Sequence, residues 1–129
     1  MLAVDTNLIV RLLTHDDAAQ ARRAAALFAR EQIYISRTVL LESEWVLRFS
    51  YELPAGVILL ALRRLVGLPN VVLEQQREIA EALDGFEQGL DFADALHLAG
   101  SRRAGRFATF DRKLIKRAQK LTAVELVLA

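Results

Sequence analysis

Short apolar runs alternate with longer amphipathic stretches along this whole chain, and that alternation restricts its fold more than any other feature. The runs are Leu2–Val4, Ile33-Tyr34-Ile35, Val71-Val72-Leu73, Phe107–Phe110 and Val124–Leu128. They read as strands, and the stretches between them read as helices, two in each of the longer connections. Strands that alternate with helices in this way pair in parallel, because the crossover helix returns the chain to the same edge of the sheet. The fold class expected is therefore α/β, with a mostly parallel sheet. The runs lack polar alternation, which points to burial on both sheet faces.

Helix boundaries follow from breakers and caps. The spacing predicts helices over Asn7–Leu13, over Ala18–Arg30 with Asp16 or Asp17 as cap, and from Arg37 or Thr38 to Tyr51. A fourth covers Ala55–Val66, closed by Gly67 and Pro69, and a fifth Arg77–Glu87, stopped near Gly89. The last two cover Phe92–Arg103, ending at Gly105, and Arg112–Lys120. No repeat, linker or low-complexity tract interrupts the pattern, and the 129 residues suit one domain over 1–129.

Composition removes several function classes. The chain has no cysteine, so disulfide stapling and zinc–thiolate sites are excluded. The first residues lack a basic leader and Asp5 interrupts their apolar stretch, unlike a signal peptide. No apolar run is long enough to span a bilayer. A cytoplasmic location without a membrane partner is expected. Hydrophobic residues make up 53%, enough for a filled core and also for apolar helix faces that support self-association through Ala55–Val66 and the helix carrying Trp45.

Chemistry is suggested by four acids: Asp5, Glu42, Asp94 and Asp111. Asp5 and Asp111 each follow an apolar run and precede a helix, at the strand ends where open α/β sheets place their ligand sites. Each also suits helix N-capping. Glu42 shares a helix face with Trp45, Val46 and Phe49, which read as core, so its carboxylate needs either a metal or an arginine partner. Glu44 lies nearly opposite, with Arg48 at i+4, and reads as an ordinary surface pair. In Asp91-Phe92-Ala93-Asp94, Asp91 reads as the cap and Asp94 as the third helical residue, beside a buried stripe of Phe92, Ala95, Leu96 and Ala99. Thr6 and Asn7 can support the Asp5 carboxylate. His15 and His97 read as structural or surface residues. Four nearby carboxylates repel one another, by about 4 kcal/mol per pair at ~4 Å and an effective dielectric near 20. A hard divalent cation relieves that repulsion and activates water for attack on phosphorus.

Net charge is only +1, yet the segment Arg102–Lys120 holds eight cations against the single acid Asp111. Basic residues beside an acidic metal site fit a phosphodiester polymer. Arg112 is expected to meet the phosphates of such a polymer, with Lys113 or Lys116. The rest are expected to be solvated or to meet a partner.

Val4-Asp5-Thr6-Asn7, Leu41-Glu42, Asp91-Phe92-Ala93-Asp94-Ala95-Leu96-His97-Leu98-Ala99 and Ala108-Thr109-Phe110-Asp111-Arg112 together resemble the PIN-domain nucleases, and among them the VapC-type toxins of bacterial toxin–antitoxin pairs. Order, spacing and length all agree over almost the whole chain. The resemblance implies a three-layer α/β/α sandwich around a central parallel sheet. It implies endoribonuclease activity that depends on Mg²⁺ or Mn²⁺, a homodimer or higher oligomer, and inactivation by a cognate antitoxin. By motif, Asp5, Glu42, Asp94 and Asp111 match the family's acidic quartet, Thr6 and Asn7 its polar support, and Asp91 is an extra acid that can reach the metal through water.

Other classes fit less well. A phosphoacceptor receiver domain would need an aspartate after the third strand, where Glu74-Gln75 stands. A haloacid-dehalogenase-type phosphatase would need a second aspartate where Asn7 stands. A non-catalytic module of the same fold, binding RNA or protein, is opposed only by the retention of all four acids.

Overall fold

The computed structural model describes residues 1–129. The elements run β1 (Leu2–Ala3), α1 (Thr6–Thr14), α2 (Ala18–Arg30), β2 (Ile33–Ile35), α3 (Arg37–Phe49), α4 (Ala55–Val66), β3 (Val71–Leu73), α5 (Gln76–Glu87), α6 (Phe92–Ala99), β4 (Arg106–Thr109), α7 (Arg112–Ala118) and β5 (Glu125–Leu128). The strands are parallel, as the alternation predicts, and the fold is α/β. The contacts divide the chain into two compact units, Met1–Gln76 and Arg77–Ala129. No helix is long and apolar enough to cross a membrane.

In the first unit β1, β2 and β3 form one sheet in that order. Leu2 pairs with Ile33 and Ile33 with Val71, so the C-terminal ends of all three strands reach one edge. Helix α1 packs on α2 and α3, and α4 packs on α3 and β3. Ile9, Ile33, Ile35, Leu40, Leu47, Ile58 and Leu62 are fully buried. Asp17, not Asp16, caps α2 by accepting the Gln20 N–H at 3.0 Å. Asp16 instead accepts from the Tyr51 hydroxyl at 2.9 Å. His15 closes α1 in the left-handed region with φ 56.

Helix α3 turns the other face inward from the one expected. Its buried residues are Leu40, Ser43, Glu44 and Leu47. Trp45 and Phe49, expected in the core, are 53% and 56% exposed, whereas Glu44, expected on the surface, is 0% exposed. Glu42 is exposed too. The helix carries two apolar stripes, and packing between α1 and α4 selects the one ending in Leu47. The polar residues on that stripe find local partners. The Ser43 hydroxyl donates to the Val39 carbonyl at 2.7 Å. Arg48 Nη2 donates to Glu44 Oε1 at 3.1 Å, and its Nε lies 3.0 Å from Oε2.

In the second unit β4 and β5 pair in parallel, Arg106 opposite Glu125 and Thr109 opposite Leu128. Burial on both faces, expected of every strand, fails here: Arg106 and Ala108 are exposed. Only β2 comes close, with Ile33 and Ile35 buried about a half-buried Tyr34. Helix α6 ends at Ala99, short of the expected Arg103. The Ser101 hydroxyl takes the His97 carbonyl at 2.6 Å while the Ser101 N–H turns to the Leu98 carbonyl, which unwinds the helix. Its start is firmly seated. Phe92 is fully buried and meets the Phe86 ring edge-on at 5.5 Å. A Cβ on Gly85 would stand 3.2 Å from both Ala95 Cβ and Leu90 Cδ1, so only glycine lets α5 approach α6 this closely without a shift.

Candidate active site

The first unit carries Asp5, Thr6, Asn7 and Glu42. Asp5 leaves β1 in extended conformation and caps α1, its Oδ1 accepting the Leu8 N–H at 3.0 Å. The capping reading therefore holds, and it uses one oxygen of an exposed carboxylate. Thr6, the next residue, is buried, and its hydroxyl donates to Glu42 Oε1 at 2.5 Å. That bond ties the α3 carboxylate to the β1–α1 junction. Glu42 has no need of a buried arginine: it is exposed and held by a hydroxyl. Asn7 is exposed and lines a groove with Leu8, Arg11 and Arg23, so the polar support in this unit comes from Thr6. Thr6→Val keeps the shape and removes the hydroxyl. It is expected to cost about 1 kcal/mol of stability and to lower activity by freeing Glu42; unchanged kinetics would remove Thr6 from the site.

One acid on this edge stands outside the four that the sequence singles out. Glu74 follows β3 as Asp5 follows β1, and strand register brings both to the same edge. Its Oε1 accepts the Arg37 N–H at 2.8 Å, which caps the start of α3. The signal was the same as for Asp5 and Asp111, an acid directly after an apolar run.

The second unit carries Asp91, Asp94 and Asp111. Asp91 caps α6 by accepting the Asp94 N–H at 3.2 Å. Asp111 caps α7, its Oδ1 accepting the Lys113 and Leu114 N–H groups at 3.0 Å each. The Asp94 carboxyl is pushed above the usual carboxylate range. Burial is the largest cause, and the charges of Asp91 and Asp111 add to it while His97 opposes them. In this unit Asp91 and Asp111 thus add to burial in disfavouring the charged form of Asp94. His97 itself is exposed, as expected.

The basic segment is divided. Arg102 pairs with Glu81, and Arg106 lies 3.6 Å from Glu125. Arg112, Lys113 and Lys116 are exposed on α7, directly after Asp111.

No three acidic or histidine side chains are arranged to hold an ion directly. The available donors are carboxylate and hydroxyl oxygens. Such hard donors suit Mg²⁺, which keeps several waters and is bound through one or two carboxylates. The residues present fit such an ion by donor chemistry.

A family model described as PIN domain matches residues 2–121, so the chain belongs to the PIN-domain family, a nuclease superfamily whose members typically use divalent metals. No curated protein and no solved structure matches the chain significantly.

Proposed function

We propose that this chain is a Mg²⁺- or Mn²⁺-dependent endoribonuclease, a toxin of the VapC type that a cognate antitoxin neutralises. The chain acts as a single domain over 1–129. Asp5, Glu42, Asp94 and Asp111 would serve the ion directly or through its waters, and Asp91 would assist through water. When bound, the ion neutralises charge on the reacting phosphate and activates the attacking water. Thr6 orients Glu42. Arg112, Lys113 and Lys116 hold phosphates next to the scissile one. The observation that carries this reading is the PIN-domain match over residues 2–121 in a chain that keeps all four acids, and the raised pKa of Asp94, caused first by burial and then by Asp91 and Asp111, agrees with it.

Cleavage of single-stranded and structured RNA is the direct test. Purified protein should cut RNA in Mg²⁺ or Mn²⁺ and stop in chelator. RNA binding without cleavage in either metal would favour a non-catalytic module. Arg112→Ala should weaken RNA binding and reduce the salt slope by about one unit, as expected for one lost phosphate contact. An unchanged slope would make the α7 cations a solvated surface only. A homodimer or higher oligomer belongs to the same proposal, through Ala55–Val66 and the helix carrying Trp45, where Val57, Leu60, Trp45 and Phe49 are exposed. Sedimentation at micromolar concentration checks it, and a stable monomer counts against it.

A further inference from the structure

The side chain between Thr109 and Asp111 is held out in solvent. Phe110 is 84% exposed, more than any other large apolar residue of the chain. It continues the outward face of β4, after the exposed Arg106 and Ala108, at the period of two that a strand imposes. Its ring meets no other aromatic ring and no cation. Burying a phenylalanine is worth about 2 kcal/mol, and the fold does not use that here. The backbone on both sides is pinned. The Thr109 carbonyl accepts the Ala129 N–H at 2.9 Å, and the Thr109 hydroxyl accepts the Asp111 N–H at 3.0 Å, across Phe110. The charges that follow have one sign. Arg112, Lys113 and Lys116 are exposed and form no ion pair, unlike Arg102 with Glu81 and Arg106 with Glu125. They outweigh Asp111, the single acid of the segment.

We propose that Phe110 stacks on an unpaired base of the substrate beside the scissile phosphate, an inference that rests on the ribonuclease reading above. Phe110 and Asp111 are consecutive, about 3.8 Å apart at Cα. A nucleotide joins an anionic phosphate to a flat aromatic base through one sugar. A phosphate at an ion served by Asp111 therefore carries its base to the neighbouring residue. The free cations of α7 attract the flanking phosphates, and no acid beyond Asp111 opposes them in this segment. An aromatic ring among such cations is a means of holding single strands, since every base has a π-face. An acidic protein segment would match the cations too, but nothing in it ties an anion to an aromatic face at this spacing. Base-paired RNA is excluded from the contact, because its bases are already stacked on both faces.

The full chain carrying Asp94→Asn, in Mg²⁺, is titrated with a labelled single-stranded oligoribonucleotide, with a duplex of the same sequence, and with a sugar-phosphate oligomer of the same length without bases. Phe110→Ala is expected to weaken single-strand binding about tenfold, the order for one stacked base, at an unchanged salt slope. Affinity for the duplex and for the baseless oligomer should stay the same. Phe110→Trp should retain the single-strand affinity. In a Trp45→Phe background it supplies the only tryptophan, whose emission should be quenched with the midpoint of the label's anisotropy. Phe110 and Trp45 are both exposed, so none of these substitutions threatens the core. Full single-strand affinity in Phe110→Ala would overturn the stacking and leave the ribonuclease reading standing. So would an equal loss for the baseless oligomer, because the effect would then be one of charge or fold rather than of bases. A dimer that Phe110→Ala dissociates at unchanged RNA affinity would overturn it too, since a second copy would then cover the ring. Absence of both RNA binding and RNA cleavage in the unsubstituted chain would overturn both readings.

Discussion

Asp94→Asn is expected to abolish RNA cleavage and, at the same time, to raise the melting temperature of the metal-free protein at neutral pH. Asparagine keeps the shape of the side chain and removes a charge that burial, Asp91 and Asp111 all disfavour. The sign of the pH dependence follows. The folded-state pKa is raised, so the folded chain binds more protons than the unfolded one between the two values. Stability linked to Asp94 is fully present below the ordinary carboxylate range and is lost as pH rises through the raised folded value. The advantage of the variant should therefore be largest at neutral pH and vanish in acid. A shift of a few degrees is the expected size, since about 1 kcal/mol moves a chain of this length by roughly 4 °C. Activity should fall by about a thousandfold, in the range for losing a group that acts directly in the chemical step. Parallel melts in chelator at neutral and acidic pH decide the matter. Equal melting temperatures at both would exclude repulsion at Asp94.

The second large effect lies at Arg48. Glu44 is fully buried, and Arg48 Nε stands 3.0 Å from it on the same helix. Removing one member of such a pair costs about 3 kcal/mol when the charge left behind is the buried one. Arg48→Met should approach that figure in a denaturant titration, because Glu44 is left in the core among Leu40 and Leu47. Glu44→Leu combined with Arg48→Met should recover most of the loss, since the core then buries no charge. A loss below about 1 kcal/mol for Arg48→Met would mean that the remaining neighbours of Glu44 compensate its charge on their own.

Much of the chain could be read from residues in order. Ile33–Ile35, Val71–Leu73 and Ala55–Val66 have the boundaries that the apolar runs and breakers predict. The caps Asp5, Asp91 and Asp111 are where an acid stands before a helical pattern. Each is also a candidate site acid, and capping did not exclude that role: in Asp5 and Asp111 one oxygen makes the cap bonds. Glu74 is legible by the same rule, since it directly follows the apolar run Val71–Leu73. The Thr6–Glu42 bond was not legible, because its partners are 36 residues apart and neither spacing nor composition couples them. The early end of α6 turned on Ser101, whose hydroxyl competes for a backbone carbonyl in a way that apolar periodicity does not register.

By itself the sequence determined the local choices: which runs extend, which coil, where each helix starts, and that the strands pair in parallel. These depend on near neighbours, whose energies add over a few residues. The tertiary structure alone decided which face of α3 is the inside. Leu40 with Leu47 and Trp45 with Phe49 are both apolar stripes at helical period, so the pattern is satisfied either way. Packing against α1 and α4 broke the tie. It buried Glu44 beside Arg48 and left Trp45 and Phe49 in water on the stripe that begins with Glu42.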